Sequence, residues 1–287
     1  MEPHAPAPAP PDNGPPEAKL KIYFLPNLLT AGNLFCGFLA LTKIVEADPV
    51  KDNFNSTIRH ALFLILLACI FDLFDGRVAR MGGRESPFGR EFDSLADIVS
   101  FGAAPAFLVH RIVLSGVFVN FPQVGWFIAS IYLICGAFRL ARFNCLAAMA
   151  GTGGGKEFLG FPIPAAAGLV TSLTLFMLWL DERGFAESKW RYALPGIMVF
   201  LSLMMVSEVK YPTFKSLDFR AKRTFPKMVL IVVLIGFVVI LWDKILPLAL
   251  PVLFTAYLVY GFIRPRISRK IRHEIEEEEE DENLGQP

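Results

Sequence analysis

Cysteine is scarce in this sequence, with four residues in 287: Cys36, Cys69, Cys135 and Cys145. They lie far apart, in or beside apolar segments. No two of them have the spacing of a zinc site or of a redox dithiol. We therefore expect free, buried thiols.

Three further absences narrow the class of protein. The net charge is only +1, which gives no indication of a nucleic-acid partner. The glycine-rich run 151–155 follows no predicted strand and lacks a Gly-Lys-Ser/Thr ending, so it is interpreted as a flexible connection and not as a phosphate cradle. Residues 1–18 contain seven prolines and no apolar core, so we expect a disordered tail, over residues 1–20, and not a signal peptide.

What the chain has instead is apolar sequence. Hydrophobic residues make up 54%, phenylalanine alone contributes 27 residues, and the mean hydropathy is +0.47. That is too apolar for a soluble domain of this length and predicts an all-α, polytopic membrane bundle over residues 21–264, followed by a charged tail over 265–287. We predict eight spans, at 23–44, 61–81, 92–119, 124–146, 161–180, 192–206, 225–242 and 246–263.

Basic residues are concentrated in alternate loops. The connection between the sixth and seventh spans is the richest, with Lys210, Lys215, Arg220, Lys222, Arg223 and Lys227. Arginines also fill the loop between spans two and three. The positive-inside rule then places both termini and that loop in the cytoplasm.

Four carboxylates stand beside strongly apolar sequence at the second and third spans: Asp72, Asp75, Asp93 and Asp97. At 100° per residue, Asp72, Asp75, Gly76 and Ala79 share one helical face, and Gly89, Asp93 and Asp97 share another. Two neighbouring helices could therefore aim all four carboxylates at one point. Crowded carboxylates at a membrane boundary suit one or two hard divalent cations, Mg²⁺ or Mn²⁺, and the small residues beside them leave room for a flat ligand such as a nucleotide.

The spacing Asp72-x2-Asp75-Gly76-x2-Ala79-Arg80-x8-Gly89-x3-Asp93-x3-Asp97 resembles the motif of the CDP-alcohol phosphotransferases at every fixed position. The resemblance implies that a CDP-linked lipid presents its pyrophosphate to the metals, that an alcohol attacks the lipid-side phosphorus, and that CMP leaves. It further implies roles for the motif residues. Asp72, Asp75 and Asp93 are the principal metal ligands, Asp97 is the general base and a further ligand, Arg80 binds phosphate, and Gly76, Ala79 and Gly89 line the nucleotide site.

Other stretches are similar to the prokaryotic membrane-embedded phosphatidylserine synthases, among them 27–37, 93–102, 139–144, 160–168 and 206–215. This likeness implies CDP-diacylglycerol and L-serine as substrates, phosphatidylserine as product, a homodimer, and a place in the prokaryotic cytoplasmic membrane. Arg139 and Arg142 are candidates to hold the serine carboxylate, with ordinary positive-inside anchoring as an equal alternative. Asn27 and Thr30 are candidate nucleotide contacts, although polar residues also serve helix packing.

Several alternatives remain open from the sequence. The carboxylates could make only helix-end salt bridges with nearby arginines. The acceptor alcohol could be glycerol 3-phosphate or an inositol phosphate. A cation-coupled transporter is disfavoured because no internal repeat is visible and the carboxylates lie near one face of the membrane. A catalytically silent scaffold is disfavoured by the complete motif.

Overall fold

The computed structural model describes residues 24–81, 86–149, 157–184, 190–212 and 246–261. Within these ranges the chain forms seven helices and one short pair of strands. The helices are α1 (Phe24–Glu46), α2 (Phe54–Met81), α3 (Pro87–Val117), α4 (Pro122–Met149), α5 (Ile163–Glu182), α6 (Trp190–Val206) and α7 (Leu246–Gly261). The strands are β1 (Glu157–Leu159) and β2 (Lys210–Pro212).

Five of these helices, α1 to α5, are long and apolar enough to cross a membrane. The apolar parts of α6 and α7, Tyr192–Val206 and Leu246–Gly261, are shorter. The chain is therefore a polytopic helical membrane protein, as the composition predicts. The predicted span at 225–242, the glycine-rich run 151–155 and both tails lie outside the described residues.

Two helices begin earlier than predicted. The first turns of α2 are polar, and their hydroxyls fold back on the chain: the side chains of Ser56 and Thr57 both donate to the carbonyl of Asn53, at 2.8 and 2.9 Å. Helix α3 begins at Pro87 because Ser86 caps it, accepting a hydrogen bond from the Gly89 amide at 3.0 Å. Apolar content locates the membrane-crossing part of a helix, whereas capping and proline placement set its first residue.

One short pair of strands accompanies the helices of the predicted all-α class. Strands β1 and β2 are antiparallel, with Phe158 opposite Tyr211, and they join the segment before α5 to the segment after α6. Gly160 follows β1 with φ of 79°, a left-handed conformation that glycine adopts without strain. The ring of Tyr211 is fully buried edge-on against Phe161, and this burial raises the pKa of Tyr211 to about 12, so its hydroxyl stays protonated.

The buried core of the described residues consists of two clusters. One buried cluster joins α1, α2, α3 and α5 through residues such as Ala40, Leu62 and Leu108. A larger one joins α3 to α6 around Phe101 and Tyr132. The four cysteines are free thiols as predicted, but only Cys36 is buried, and Cys145 is exposed, contrary to the expectation.

Candidate active site

Three of the four predicted carboxylates converge between α2 and α3. Asp72, Asp75 and Asp93 each offer an oxygen, and these oxygens lie within 4.8 Å of one another. Asp72 and Asp75 are three residues apart on α2, so they project from one face of that helix. Asp75 is only 4% exposed. The structure thus brings three of the four carboxylates together, as the helical spacing predicts, and their role as metal ligands stays a prediction.

Asp97 lies one helical turn beyond Asp93 on α3 and is buried. It interacts electrostatically with Asp72, Asp75 and Asp93 but is not part of the tight cluster. Its oxygen Oδ1 accepts a hydrogen bond from the side-chain amide of Asn33 on α1, at 3.1 Å. The site thus has a carboxylate cluster and, deeper in the bundle, a separately held carboxylate.

A π-helical stretch, Ile98–Ala103, follows Asp97 directly. Pro105 has no backbone N–H, so it cannot make the α-helical bond to the carbonyl of Phe101 four residues earlier. The helix shifts its bonding by one residue, with the Ala104 amide bonded to Val99, and the buried hydroxyl of Tyr132 on α4 donates to the Phe101 carbonyl at 3.2 Å. Such π stretches inside α-helices are frequent at functional sites.

Helix α1 contributes the polar side chains that the sequence analysis placed at the nucleotide. The Thr30 hydroxyl lies 3.0 Å from Asp75 Oδ2, so it contacts the carboxylate cluster. Asn27 lies against Gly89: a Cβ built at Gly89 would be 3.3 Å from Asn27 Oδ1 and 3.2 Å from the Ser86 hydroxyl. The structure therefore brings Thr30 to the carboxylates and Asn27 to Gly89, one turn before Asp93 on α3, while the contact of these residues with a nucleotide stays a prediction.

The two arginines of α4 have different surroundings. Arg139 is 7% exposed and interacts electrostatically with Asp97 and Asp72. Arg142 donates to the last carbonyls of the α6 segment, at 2.8 Å to Val206 and 3.0 Å to Ser207. A cation at that position stabilises the C-terminal end of a helix. Arg139 therefore lies within electrostatic reach of the carboxylates, and the roles of Arg139 and Arg142 in acceptor binding stay predictions.

The donor set fits a hard divalent cation. All three clustered groups are carboxylates, and Asp93 Oδ1 is buried without a hydrogen-bond partner among the described residues. A buried, ionised oxygen is costly unless a cation or a donor meets it. Gly76 belongs to the same helical turn as Asp75, whereas the side chains of Ala79 and Arg80, although on α2, lie outside the described part of the chain.

Sequence reasoning missed two residues of the site. Neither Asn33 nor Tyr132 is among the site residues that the sequence predicts. Asn27, Thr30 and Asn33 recur at every third position of the first span, which was a usable indication for Asn33. Tyr132 gave none, because its partner is a backbone carbonyl freed by a proline on another helix.

Comparisons with known proteins agree with this geometry. The family model described as CDP-alcohol phosphatidyltransferase matches residues 23–207. The CDP-diacylglycerol–serine O-phosphatidyltransferase of Helicobacter pylori (strain J99) is 35% identical over 243 residues, which cover 85% of this chain and 91% of the relative. The protein of the same name from Bacillus subtilis is 32% identical, covering 67% of this chain and 92% of the relative. The archaetidylserine synthase of Methanothermobacter thermautotrophicus is 35% identical, covering 66% and 69%.

The family match spans more than half of the chain and includes both helices that carry the carboxylates. The similarity to the Helicobacter pylori protein extends over nearly the whole length of that protein. The chain belongs to the CDP-alcohol phosphatidyltransferase family.

Proposed function

We propose that this protein transfers the phosphatidyl group of CDP-diacylglycerol to the hydroxyl of L-serine, giving phosphatidylserine and CMP. The observation that carries the proposal is the convergence of Asp72, Asp75 and Asp93 within 4.8 Å, beside the buried Asp97. The relatives named for the same reaction supply the identity of the acceptor.

Asp72, Asp75 and Asp93 would hold the divalent cations, Mg²⁺ or Mn²⁺, most simply two of them. When bound, these ions neutralise charge on the pyrophosphate and on the departing CMP. Gly76, Ala79, Gly89, Asn27 and Thr30 would line the nucleotide site, with Arg80 on a phosphate.

Asp97 would take the proton of the serine hydroxyl as its oxygen attacks the lipid-side phosphorus. The bond from that phosphorus to the CMP oxygen breaks, and CMP leaves with the electron pair. A base for this step must lie within hydrogen-bond reach of the hydroxyl, in a place that bulk water does not flood. Asp97 is 6% exposed and lies one turn from the cluster, which suits that role.

Arg139 would hold the serine carboxylate. It is the buried cation that interacts electrostatically with Asp97, and a guanidinium binds a carboxylate through two parallel hydrogen bonds. An acceptor held there would have its hydroxyl on the Asp97 side. A phosphorylated acceptor such as glycerol 3-phosphate brings a dianion and would need further cationic groups.

The carboxylates lie near the C-terminal end of α2 and the N-terminal part of α3, close to one end of the bundle. The arginines that follow on that side favour the cytoplasmic face of a prokaryotic membrane. We further propose eight spans, both termini in the cytoplasm, and a homodimer as in the resemblance drawn from the sequence.

The test is CMP release from CDP-diacylglycerol in detergent micelles with Mn²⁺ or Mg²⁺, with L-serine, glycerol 3-phosphate or inositol phosphate as acceptor. Serine-dependent release supports the proposal. Release that depends on another acceptor keeps the family chemistry and overturns the substrate. If no CMP is released with any acceptor, and the protein reconstituted in vesicles moves a cation across the membrane, the result would favour a cation-coupled transporter.

The Asp97→Asn variant tests the base. We expect a large loss of turnover with little change in nucleotide affinity, because the amide cannot accept the proton but preserves the shape of the side chain. An unchanged rate would remove Asp97 from this role.

A further inference from the structure

Asn33 on α1 is wholly buried, and its amide is directed at the carboxylate of Asp97. The distance from Asn33 Nδ2 to Asp97 Oδ1 is 3.1 Å, and Asn33 is 0% exposed. An asparagine amide in this position must present its nitrogen, because the opposite orientation would set two oxygens against each other. The residue therefore fixes one oxygen of the carboxylate and leaves the other for a substrate.

A second hydrogen bond locks Asn33 to the same helix. The hydroxyl of Ser100 on α3 donates to the backbone carbonyl of Asn33, at 3.0 Å. Gly37, one turn further along α1, permits the close approach, since a Cβ there would lie 2.7 Å from the Cα of Ser100. Asn33 and Gly37 on α1 thus face Asp97 and Ser100 on α3, and the two hydrogen bonds run in opposite directions.

These two hydrogen bonds lie where α3 changes from α-helical to π-helical hydrogen bonding. Ser100 lies inside the π-helical stretch Ile98–Ala103, directly after Asp97. One hydrogen bond joins α1 to Asp97, directly before the π stretch, and the other joins α1 to Ser100 inside it, so the two together constrain the rotation of α3 at the carboxylate. The side-chain oxygen Oδ1 of Asn33 has no hydrogen-bond partner among the described residues. The hydrogen bond from Ser100 to the backbone carbonyl of Asn33 is therefore the described contact that holds Asn33 in place.

We propose that Asn33 is a positioning residue for the phosphatidyl transfer, holding Asp97 in the orientation that receives the proton of the acceptor hydroxyl. The inference rests on the proposed function, in which Asp97 is the base. Asn33 itself touches neither substrate nor the clustered carboxylates in this scheme.

The experiment compares Asn33→Leu, Ser100→Ala and the wild type in the CMP-release assay. Leucine has the same branched shape and the same number of side-chain heavy atoms as asparagine, but no donor. We expect Asn33→Leu to lower kcat by roughly 10- to 100-fold, with KM for CDP-diacylglycerol within about twofold of wild type, as for a misplaced catalytic group. Ser100→Ala retains the hydrogen bond from Asn33 to Asp97 and loses only the one from Ser100 to the Asn33 carbonyl. Its kcat should therefore fall by a smaller factor.

Ser202→Ala is the matched control. Ser202 is a buried hydroxyl on α6 that bonds to its own helix at Met198, so its loss tests the effect of removing a buried polar atom elsewhere in the bundle. Its kcat should match the wild type. A double-mutant cycle separates positioning from stability: if Asn33 acts through Asp97, then Asn33→Leu should lower kcat far less in the Asp97→Asn background.

The two hypotheses fail in different ways. A wild type without serine-dependent release overturns the proposed acceptor, and the variants are then compared with the acceptor that does support release. An active wild type combined with an unchanged kcat in Asn33→Leu, or an equal fold-loss in both backgrounds of the cycle, overturns the positioning role. If Asn33→Leu fails to fold, an unchanged kcat in Ser100→Ala overturns it instead.

Discussion

Replacing Asp93 with asparagine should have opposite effects on stability and on activity. In the protein without divalent cations, three carboxylate oxygens lie within 4.8 Å of one another. Two unit charges at that separation repel by about 3 kcal/mol at an effective dielectric constant of 20. Asp93→Asn removes two of the three pairwise repulsions, although protons shared within the cluster reduce the gain, so we expect about 1–3 kcal/mol of stabilisation.

The assay is thermal unfolding in detergent with a chelator and then with Mn²⁺, alongside CMP release. Asp93→Asn should unfold at a higher temperature than wild type in chelator, should gain less stability from Mn²⁺, and should lose turnover. Asp52→Asn is the control, because Asp52 is an exposed carboxylate in the loop before α2 and should change none of these. A variant that is destabilised in chelator and keeps the full Mn²⁺ effect would refute the assignment of Asp93 as a ligand.

The remaining predictions concern α4. Tyr132→Phe should lower the free energy of unfolding by about 1–3 kcal/mol, because it leaves the buried carbonyl of Phe101 without that hydroxyl. Equal denaturant midpoints for variant and wild type would contradict this. Arg139→Gln should raise KM for serine by about 10- to 100-fold with a smaller effect on KM for CDP-diacylglycerol, as expected when a charge-assisted hydrogen bond to a carboxylate is lost. Arg142→Gln should mainly reduce stability, since that side chain bonds to the end of α6; a tenfold rise in its KM for serine would instead make Arg142 an acceptor contact.

The carboxylate cluster was predictable because helical periodicity is a local property. Asp72 and Asp75 share a face whenever the segment is helical, and the short link to α3 forces the two helices to be neighbours. Because α2 and α3 are neighbours, Asp93 near the start of α3 is expected beside Asp72 and Asp75. Apolar runs located all seven helices of the described chain, five of them to within about three residues at each end, whereas α2 and α3 begin well before the predicted spans.

Features that depend on partners distant in sequence were not predictable in this way. The bond from Asn33 to Asp97 joins residues 64 positions apart, and the strand pair joins segments on either side of two helices. The π stretch is accompanied by Pro105 and by the hydroxyl of Tyr132, and only the proline is visible in the local sequence. Arg142 carried a positive charge beside a membrane segment, but its use at the end of α6 depended on how α4 and α6 pack.

The most direct test of the central claim uses L-serine labelled with oxygen-18 in its hydroxyl, given to the purified protein with CDP-diacylglycerol and Mn²⁺. Attack by that hydroxyl on the lipid-side phosphorus forms the new phosphodiester through the serine oxygen. The account therefore predicts that mass spectrometry finds the label in phosphatidylserine and none in the released CMP. Unlabelled lipid products, with CMP released equally in the presence and absence of serine, would contradict it.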